Sequence, residues 1–409
     1  MFDTTGAGHL RGLRRPAAKR RVVLKGKRIF DPVHRFIELD AGEVELLEAP
    51  VVQRLRRLRQ LGLAYLAYPS AEHSRFSHAL GALAVGTRAL EALRSSSPEA
   101  FVDERAFLAQ RRLLRASLLL HDVGHGPFSH ACEAVLGVRH EQRTVAILRR
   151  PEVREPLERL GIDPTDVLAL ITGGATAYPV LRELVSGPNL DADRMDYLLR
   201  DAYFTGVENG RYDVEQLLAS LRIFDVDGRW ELGVDGRGVV ALEGFVLARY
   251  MMFATIYFHH TTRAFERVLG DGLRELWPDP RRLDDIEEFL AWDDFRVVDA
   301  LRTLPIEAAR ALRERVTVYG LAAEFNAESD LGTFEACERE LRSRYGDDLW
   351  SDSQEQLLHR LPLLGDEGQP TVRVQLAGRT VDARHASDLI AKLSGKAYWR
   401  KLFVRKDAV

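Results

Sequence analysis

Residues His121 to His130 read HDVGHGPFSH, and this decapeptide restricts the fold more than any other stretch of the chain. An adjacent His-Asp pair closes the apolar helical run from Ala106 to Leu120 and enters a tight turn built on Gly124, Gly126 and Pro127. Polar side chains gathered where packing prefers apolar ones need partners from elsewhere. Suitable groups are His78 in HSRFSHALG (His73 to Gly81) and the acids of DADRMDY (Asp191 to Tyr197). Both lie on other predicted helices, so an all-helical bundle must bring them together.

The rest of the chain fits such a bundle. It has 409 residues, 46% of them hydrophobic and 29% charged, which predicts one large domain with a smaller appendage. The formal net charge of -3 gives no global case for nucleic acid or for an acidic partner. Cys132 and Cys337 are the only cysteines, so no disulfide framework is expected and a reducing cytoplasm fits. No run of about 18 consecutive apolar residues is found, so no membrane span is expected, and the N-terminus lacks a secretory core. Residues 10–28 carry nine Arg or Lys and no acid. They read as a basic arm over residues 1–28, either solvated or contacting polyphosphate, nucleic acid or a neighbouring subunit.

Helical periodicity dominates. Val51, Leu55, Leu58 and Gly62 fall near one face, and helices are predicted over His78 to Leu93, Ala106 to Leu120, His140 to Arg149, Thr165 to Ile171, Pro179 to Val185, Asp193 to Tyr203 and Asp213 to Ile223. Trp230 to Val234, the turn DGRG and Val239 to Leu242 read as a hairpin, followed by a long helix from Glu243 to Leu276. The segment WPDPRR (Trp277 to Arg282) marks a domain boundary, giving regions 29–276 and 277–409. Beyond it, helices are expected at Leu283 to Ala300 and Pro305 to Val316, a hairpin near Thr371 to Val381, and a strand at Trp399 to Val404.

Imidazole nitrogen mixed with carboxylate oxygen suits a divalent metal that keeps positions open for water and phosphate. Each piece alone has a plainer reading. A lone His78 on an Ala-rich helix is usually a core histidine, and Asp193 alone is usually a helix cap. Clustering beside the glycine turn favours the metal. His125, His130, Glu133 and His140 form a second set suited to proton transfer, because a carboxylate beside an imidazole raises its pKa. Arg75 and Arg194 flank the ligand segments and carry the group that matches phosphate oxygens.

With these motifs in hand, the chain resembles the HD-domain phosphohydrolases, in the branch containing the deoxynucleoside triphosphate triphosphohydrolases. The resemblance runs through KRIFDPVHRFIEL (Lys27 to Leu39), QRLRRLRQLG (Gln53 to Gly62), YPSAEHSRFSHALG (Tyr68 to Gly81), HDVGHGPFSH and DADRMDYLLRDAYFTG (Asp191 to Gly206), and weakens after about residue 270. It implies a mainly α, HD-domain helical bundle with a smaller mixed α/β C-terminal region. The implied metal ligands are His78, His121, Asp122 and Asp193, with Asp191 and Asp196 the weaker carboxylates, and the ion is Fe, Mn, Zn, Ni or Mg.

The same resemblance places His125 and His140 near the scissile phosphate, with Glu133 where vertebrate members have Asp. Gln60 and Leu61 correspond to deoxyribose contacts, and Tyr197 offers a ring to the sugar. Lys27, Glu48, Gln53 and Arg56 correspond to an activating guanine-nucleotide site, which implies an effector bound in a homo-oligomer, a dimer or tetramer. The family's triphosphate-binding Arg and sugar-gating Tyr are unmatched, because Ile256 and Ala264 stand there; Tyr257 or Arg263 is the expected substitute. The implied reaction is hydrolysis of a dNTP to deoxynucleoside and inorganic triphosphate, with His125 protonating the leaving oxygen. The alternatives are another HD phosphohydrolase, such as a nucleoside monophosphatase or phosphodiesterase, and a non-catalytic nucleotide or nucleic-acid binding module.

Overall fold

The computed structural model describes residues 25–226, 228–357, 372–394 and 396–409, so most of the predicted basic arm lies outside the described residues. The fold is mainly α, with small sheets at its N-terminal edge and in the C-terminal region.

Its central element is the helix Arg75–Ser96, started by the Ser74 side chain accepting from the Ser77 amide. This helix is buried on nearly every side, including Leu80, Leu83, Leu90 and Leu93. A helix apolar all round belongs in the middle of a bundle. Helix Glu104–Leu120, opened by Asp103, and helix Ala192–Thr205, opened by Asp191, pack against it. Each fully buried leucine contributes about 1.5–3 kcal/mol, so the bundle holds the three motif-bearing segments firmly together. The N-terminal hairpin Lys27–Asp31 with Arg35–Leu39 lies against this bundle through Ile37 and Leu39.

Several expectations need correction. The helix at residue 50 ends as a 3-10 turn at Arg57, and Gly62 has φ +51, so it lies beyond any helical face. The predicted helix Asp213 to Ile223 stops at Ser220, and Leu221–Val226 is a strand pairing with Arg229–Asp235. Thus Trp230 to Val234 is a strand, but its partner precedes it. Val239 to Leu242, taken as the return strand, is the first turn of helix Val239–Met252. The single helix Glu243 to Leu276 is broken by a π-turn at Phe253–Tyr257 and restarts at His260. Leu283 to Ala300 is likewise divided, with Asp293 capping a separate helix Asp294–Arg302.

The C-terminal hairpin, Arg373–Leu376 with Arg379–Asp382, joins the earlier one through parallel pairing of Arg373–Gln375 with Gly233–Asp235. A four-stranded sheet therefore unites segments more than a hundred residues apart. A second sheet orders Tyr319–Phe325, Lys396–Arg405 and Leu349–Leu357, with helix Leu331–Tyr345 packed on it. Phe128, Phe265, Leu273, Trp277, Val297 and Leu301 share one apolar cluster, which locks the histidine turn to the C-terminal region.

The stretch Gly236–Tyr257 is long and apolar enough to cross a membrane, although polar residues interrupt it. Here Leu242, Phe245, Val246 and Met252 of that stretch are packed in the protein core.

Candidate metal centre and the cavities around it

Four predicted ligands converge. Nε2 of His78 lies 3.1 Å from Nε2 of His121 and 2.9 Å from Asp193 Oδ1, and His121 Nε2 lies 3.8 Å from the same oxygen. Asp122 completes the group, 3.6 Å from His121 Nε2 and 3.9 Å from His78 Nε2. His78 comes from the central helix. His121 is the C-cap of helix Glu104–Leu120, still in right-handed helical conformation, and Asp122 follows it into the turn, both side chains buried. Asp193 sits in the first turn of helix Ala192–Thr205.

Hydrogen bonds behind the ligands fix their tautomers. A carboxylate and a carbonyl can only accept, so His78 Nδ1 donates to Asp196 Oδ2 at 2.7 Å and His121 Nδ1 donates to the Leu118 carbonyl at 2.7 Å. In the neutral imidazoles both Nε2 atoms then present lone pairs to each other and to a carboxylate. That arrangement is repulsive without a cation between them. The donor set therefore fits a divalent metal ion. Without metal, a proton serves instead. Burial opposes charge on His78, yet hydrogen bonds to Asp193 and Asp196 overcome it and push its pKa up to about 10. Burial also opposes ionisation of Asp122, but Arg75, His121 and His125 hold it well below the usual carboxylate range.

Asp196 is the buried anchor. It receives His34 Nε2 at 2.7 Å and Arg200 Nε at 2.9 Å in addition to His78, and Arg200 in turn donates to Asp31 at 2.8 Å. Asp191 caps its helix by accepting from the Arg194 amide at 2.8 Å. Asp196 thus meets His78 at Nδ1, on the side of the ring away from Nε2.

The second set also assembles. His140 Nδ1 donates to Glu133 Oε1 at 2.8 Å, His125 Nδ1 lies 3.6 Å from that oxygen, and the two imidazoles stack with centroids 3.8 Å apart. His125 Nε2 is 3.3 Å from Asp122 Oδ1, which joins the set to the metal group. A Cβ on Gly124 would collide with the His140 carbonyl, so glycine is what lets the turn and this helix meet. One expectation fails here. Burial and the Arg75 charge push the His125 imidazole down to about 3, the opposite of the rise foreseen from Glu133. The imidazole that Glu133 holds directly is His140. His130 begins helix His130–Leu136, but its side chain lies outside the described residues.

Arg75 and Arg194 both reach the site already partnered. Arg75 Nη1 donates to Asp122 Oδ2 at 2.5 Å and its Nη2 to Ser129 Oγ at 2.6 Å; Arg194 pairs with Asp191 and donates to the Gly187 carbonyl at 2.7 Å. Two cavities adjoin. One, about 360 Å³, is lined by His121, Asp122, Asp193, His125, His140, Arg75 and Arg194 among others. The other, about 510 Å³, has Leu61, Ala64, Phe128, Phe253, Ile256 and Phe258 along its apolar wall. Gln60, Arg75 and Tyr197 line both, and Gln60 Oε1 is buried with no hydrogen-bond partner.

Not all of the positions expected near the larger cavity line it. Ala264 packs away in a separate apolar cluster, while Tyr257 and Arg263 do face the cavity. Tyr257 donates to Asp201 Oδ2 at 2.8 Å, and Asp201 also accepts from His73 Nε2 at 2.7 Å. Of this His73–Asp201–Tyr257 chain only Tyr257 was anticipated; the acid density of DADRMDYLLRD was the signal for Asp201. Lys27, Glu48, Gln53 and Arg56 lie elsewhere, as a Lys27–Glu48 ion pair and an Arg56–Gln53 hydrogen bond of 2.8 Å.

Residues 75–198 match the HD domain family, and residues 212–400 match the HD associated region. An uncharacterized Bacillus subtilis protein, YwfO, is 38% identical over 250 residues, covering 60% of this chain and 55% of that protein. The deoxynucleoside triphosphate triphosphohydrolase SAMHD1 of Homo sapiens is 27% identical over 279 residues, covering 60% of this chain and 44% of its own. The chain thus spans about half the length of the curated relatives it matches. A solved structure named a phosphohydrolase, from Bacteroides thetaiotaomicron, superimposes with a TM-score of 0.73 at 25% identity, over 93% of this chain and 100% of that one. With the His-Asp pair and its distant partners in place, the chain carries an HD domain over residues 75–198, followed by the HD associated region over residues 212–400.

Proposed function

We propose that this protein is a metal-dependent phosphohydrolase that cleaves deoxynucleoside triphosphates at the α-phosphorus, releasing deoxynucleoside and inorganic triphosphate. The observation that carries the hydrolase reading is the pair of lone-pair-bearing Nε2 atoms of His78 and His121, 3.1 Å apart beside Asp193. A divalent ion held there, whether Fe, Mn, Zn, Ni or Mg, supplies Lewis-acid polarisation and a more acidic water.

The chain's own residues do the rest. Arg75, fixed by Ser129 and Asp122, presents its buried guanidinium to both cavities and offsets charge that grows on the phosphoryl group. Arg194 lines the metal-side cavity, where the outer phosphates would lie. His140, held by Glu133, is the better-placed group to pass a proton to the leaving oxygen; stacked His125 stays neutral and positions it. Gln60, Leu61 and Tyr197 bound the passage between the cavities, where a deoxyribose would sit.

The nucleotide reading is supported by the second cavity, whose 510 Å³ and largely apolar wall suit a nucleoside. It is supported too by the similarity to the human triphosphohydrolase. Lys27, Glu48, Gln53 and Arg56 remain our proposed contacts for a guanine-nucleotide effector between subunits of a homo-oligomer. Buried Cys132 and unpaired Cys337 accord with a reducing cytoplasm.

Phosphorus NMR of the products tests the reaction. Each dNTP, with and without GTP, should yield tripolyphosphate and no orthophosphate, and EDTA should abolish the signal. Turnover of nucleoside monophosphates or cyclic dinucleotides, with every dNTP left intact, would replace this reading by another phosphohydrolase.

A further inference from the structure

The arginine-rich segment after Gln53 is fastened to three consecutive residues of the C-terminal region. Arg54 donates to the Trp292 carbonyl, Arg57 Nε to Asp293 Oδ2 at 2.5 Å, and the Arg59 backbone amide to Asp294 Oδ2 at 2.8 Å. Asp293 caps helix Asp294–Arg302. Asp294, one residue further, is fully buried and gives neither oxygen to its own helix. Its Oδ1 accepts from the Phe128 amide at 2.9 Å, in the turn that follows the His-Asp pair. Among the described residues no cation forms an ion pair with it, and burial pushes its carboxyl up to about 6. A carboxylate kept out of water with only neutral donors is costly, so what it holds matters.

It holds a strained turn. Phe128 and Ser129 have φ of +51 and +46, the left-handed region that residues other than glycine rarely enter. Such a pair persists only where its surroundings over-determine it. The Phe128 side chain packs in one cluster with Val297 and Leu301 of the helix that Asp294 begins. Ser129 then presents its hydroxyl to Arg75, accepting Nε at 3.0 Å and Nη2 at 2.6 Å. With Nη1 on Asp122, three of the five guanidinium N–H groups are used, and one remains on each terminal nitrogen of a side chain that lines both cavities. We propose that Asp294 is a positioning residue for phosphate binding: anchored by the Arg59 amide, it holds the Phe128–Ser129 turn so that Ser129 sets the Arg75 guanidinium toward the phosphates of the substrate. The inference rests on the proposed phosphohydrolase reading and gives the HD associated region, where Asp294 lies, a part in the site. None of the four metal-ligating side chains bonds to Asp294 or Ser129, so phosphate binding and metal binding should separate.

The test is titration of the full chain with inorganic tripolyphosphate in saturating manganese, for wild type, Asp294→Asn, Ser129→Ala and the double variant. Asp294→Asn keeps the shape but turns an NH2 group toward one of the two amides it now receives. Each single variant should bind tripolyphosphate about tenfold more weakly, while manganese affinity, measured by calorimetry, stays within about twofold of wild type. Because Asp294 acts through Ser129, the double variant should bind only about twofold more weakly than the poorer single variant, whereas independent effects would multiply to about a hundredfold. Should Asp294→Asn not fold, Asp294→Glu, which keeps the charge and displaces both oxygens, takes its place. Unchanged tripolyphosphate affinity in the Asp294 variant, effects that multiply, or an equal loss of manganese affinity would overturn the positioning role and leave the hydrolase reading standing. A wild type that binds manganese and no tripolyphosphate would overturn both.

Discussion

Asp196 occupies the space that a side chain on Gly81 would need: a Cβ there would collide with Oδ1 of the carboxylate and with Arg200. The two residues lie on different helices, and the missing methyl lets Asp196 reach His78 Nδ1 at 2.7 Å. Gly81→Ala should therefore push the anchor off His78. Overpacking of this kind costs about 1–3 kcal/mol, and loss of a carboxylate behind a metal-ligating histidine lowers metal affinity about 10–100-fold. Thermal unfolding with and without added manganese reads both effects. A variant with wild-type stability and metal content would show that the anchor is dispensable.

The metal-free protein should lose stability as pH rises. The folded pKa of His78 is raised to about 10 from an ordinary 6.5, so its contribution is fully present below 6.5 and disappears as pH passes through the folded value. The melting temperature of EDTA-treated protein should fall between about pH 7 and 10. With metal bound, the ion replaces the proton, and affinity should rise across the same window. A flat profile for the stripped protein would contradict the proposed charge on His78.

Glu133→Gln keeps the shape of the side chain while removing the charge that His140 Nδ1 meets at 2.8 Å. It should lower kcat about 100-fold or more with KM little changed, as expected for a proton-transfer partner. Steady-state kinetics on the best dNTP decides this. An unaltered kcat would reduce Glu133 to a helix residue near the site.

Arg54 joins the histidine turn to the C-terminal region. Its guanidinium donates to the His125 carbonyl at 2.8 Å and to the Trp292 carbonyl at 2.8 and 3.0 Å, and lies over the Phe289 ring. Arg54→Met would leave both carbonyls without these donors, at a cost of about 1–3 kcal/mol for each. Denaturant unfolding should show that loss as a lower midpoint. A change below about 1 kcal/mol would mean water replaces the guanidinium.

The metal group was legible because its residues mark helix boundaries. His121 and Asp122 end one helix, and Asp193 begins another, where turn and cap chemistry are written locally. What lies behind it was not. His34 reaches Asp196 from 162 residues away, and Arg200, one helical turn along from Asp196, is held by Asp31 from 169 residues away; no local pattern pairs them. The misplaced hairpin has a similar cause. Asp-Gly occurs at both 227–228 and 235–236, and either could be the turn. Gly228, at φ +77 and donating to Asp225, makes it, whereas Asp235 caps a helical turn. Periodicity likewise carries straight through Phe253–Tyr257, where one extra residue per turn opens a π-turn and aims Ile256 and Tyr257 at the cavity.

Anomalous diffraction from crystals soaked in manganese tests the central claim most directly. One strong peak is predicted, bonded to His78 Nε2, His121 Nε2 and carboxylate oxygens of Asp122 and Asp193, at about 2.0–2.3 Å. A peak held by other residues, or none at this group, would contradict it.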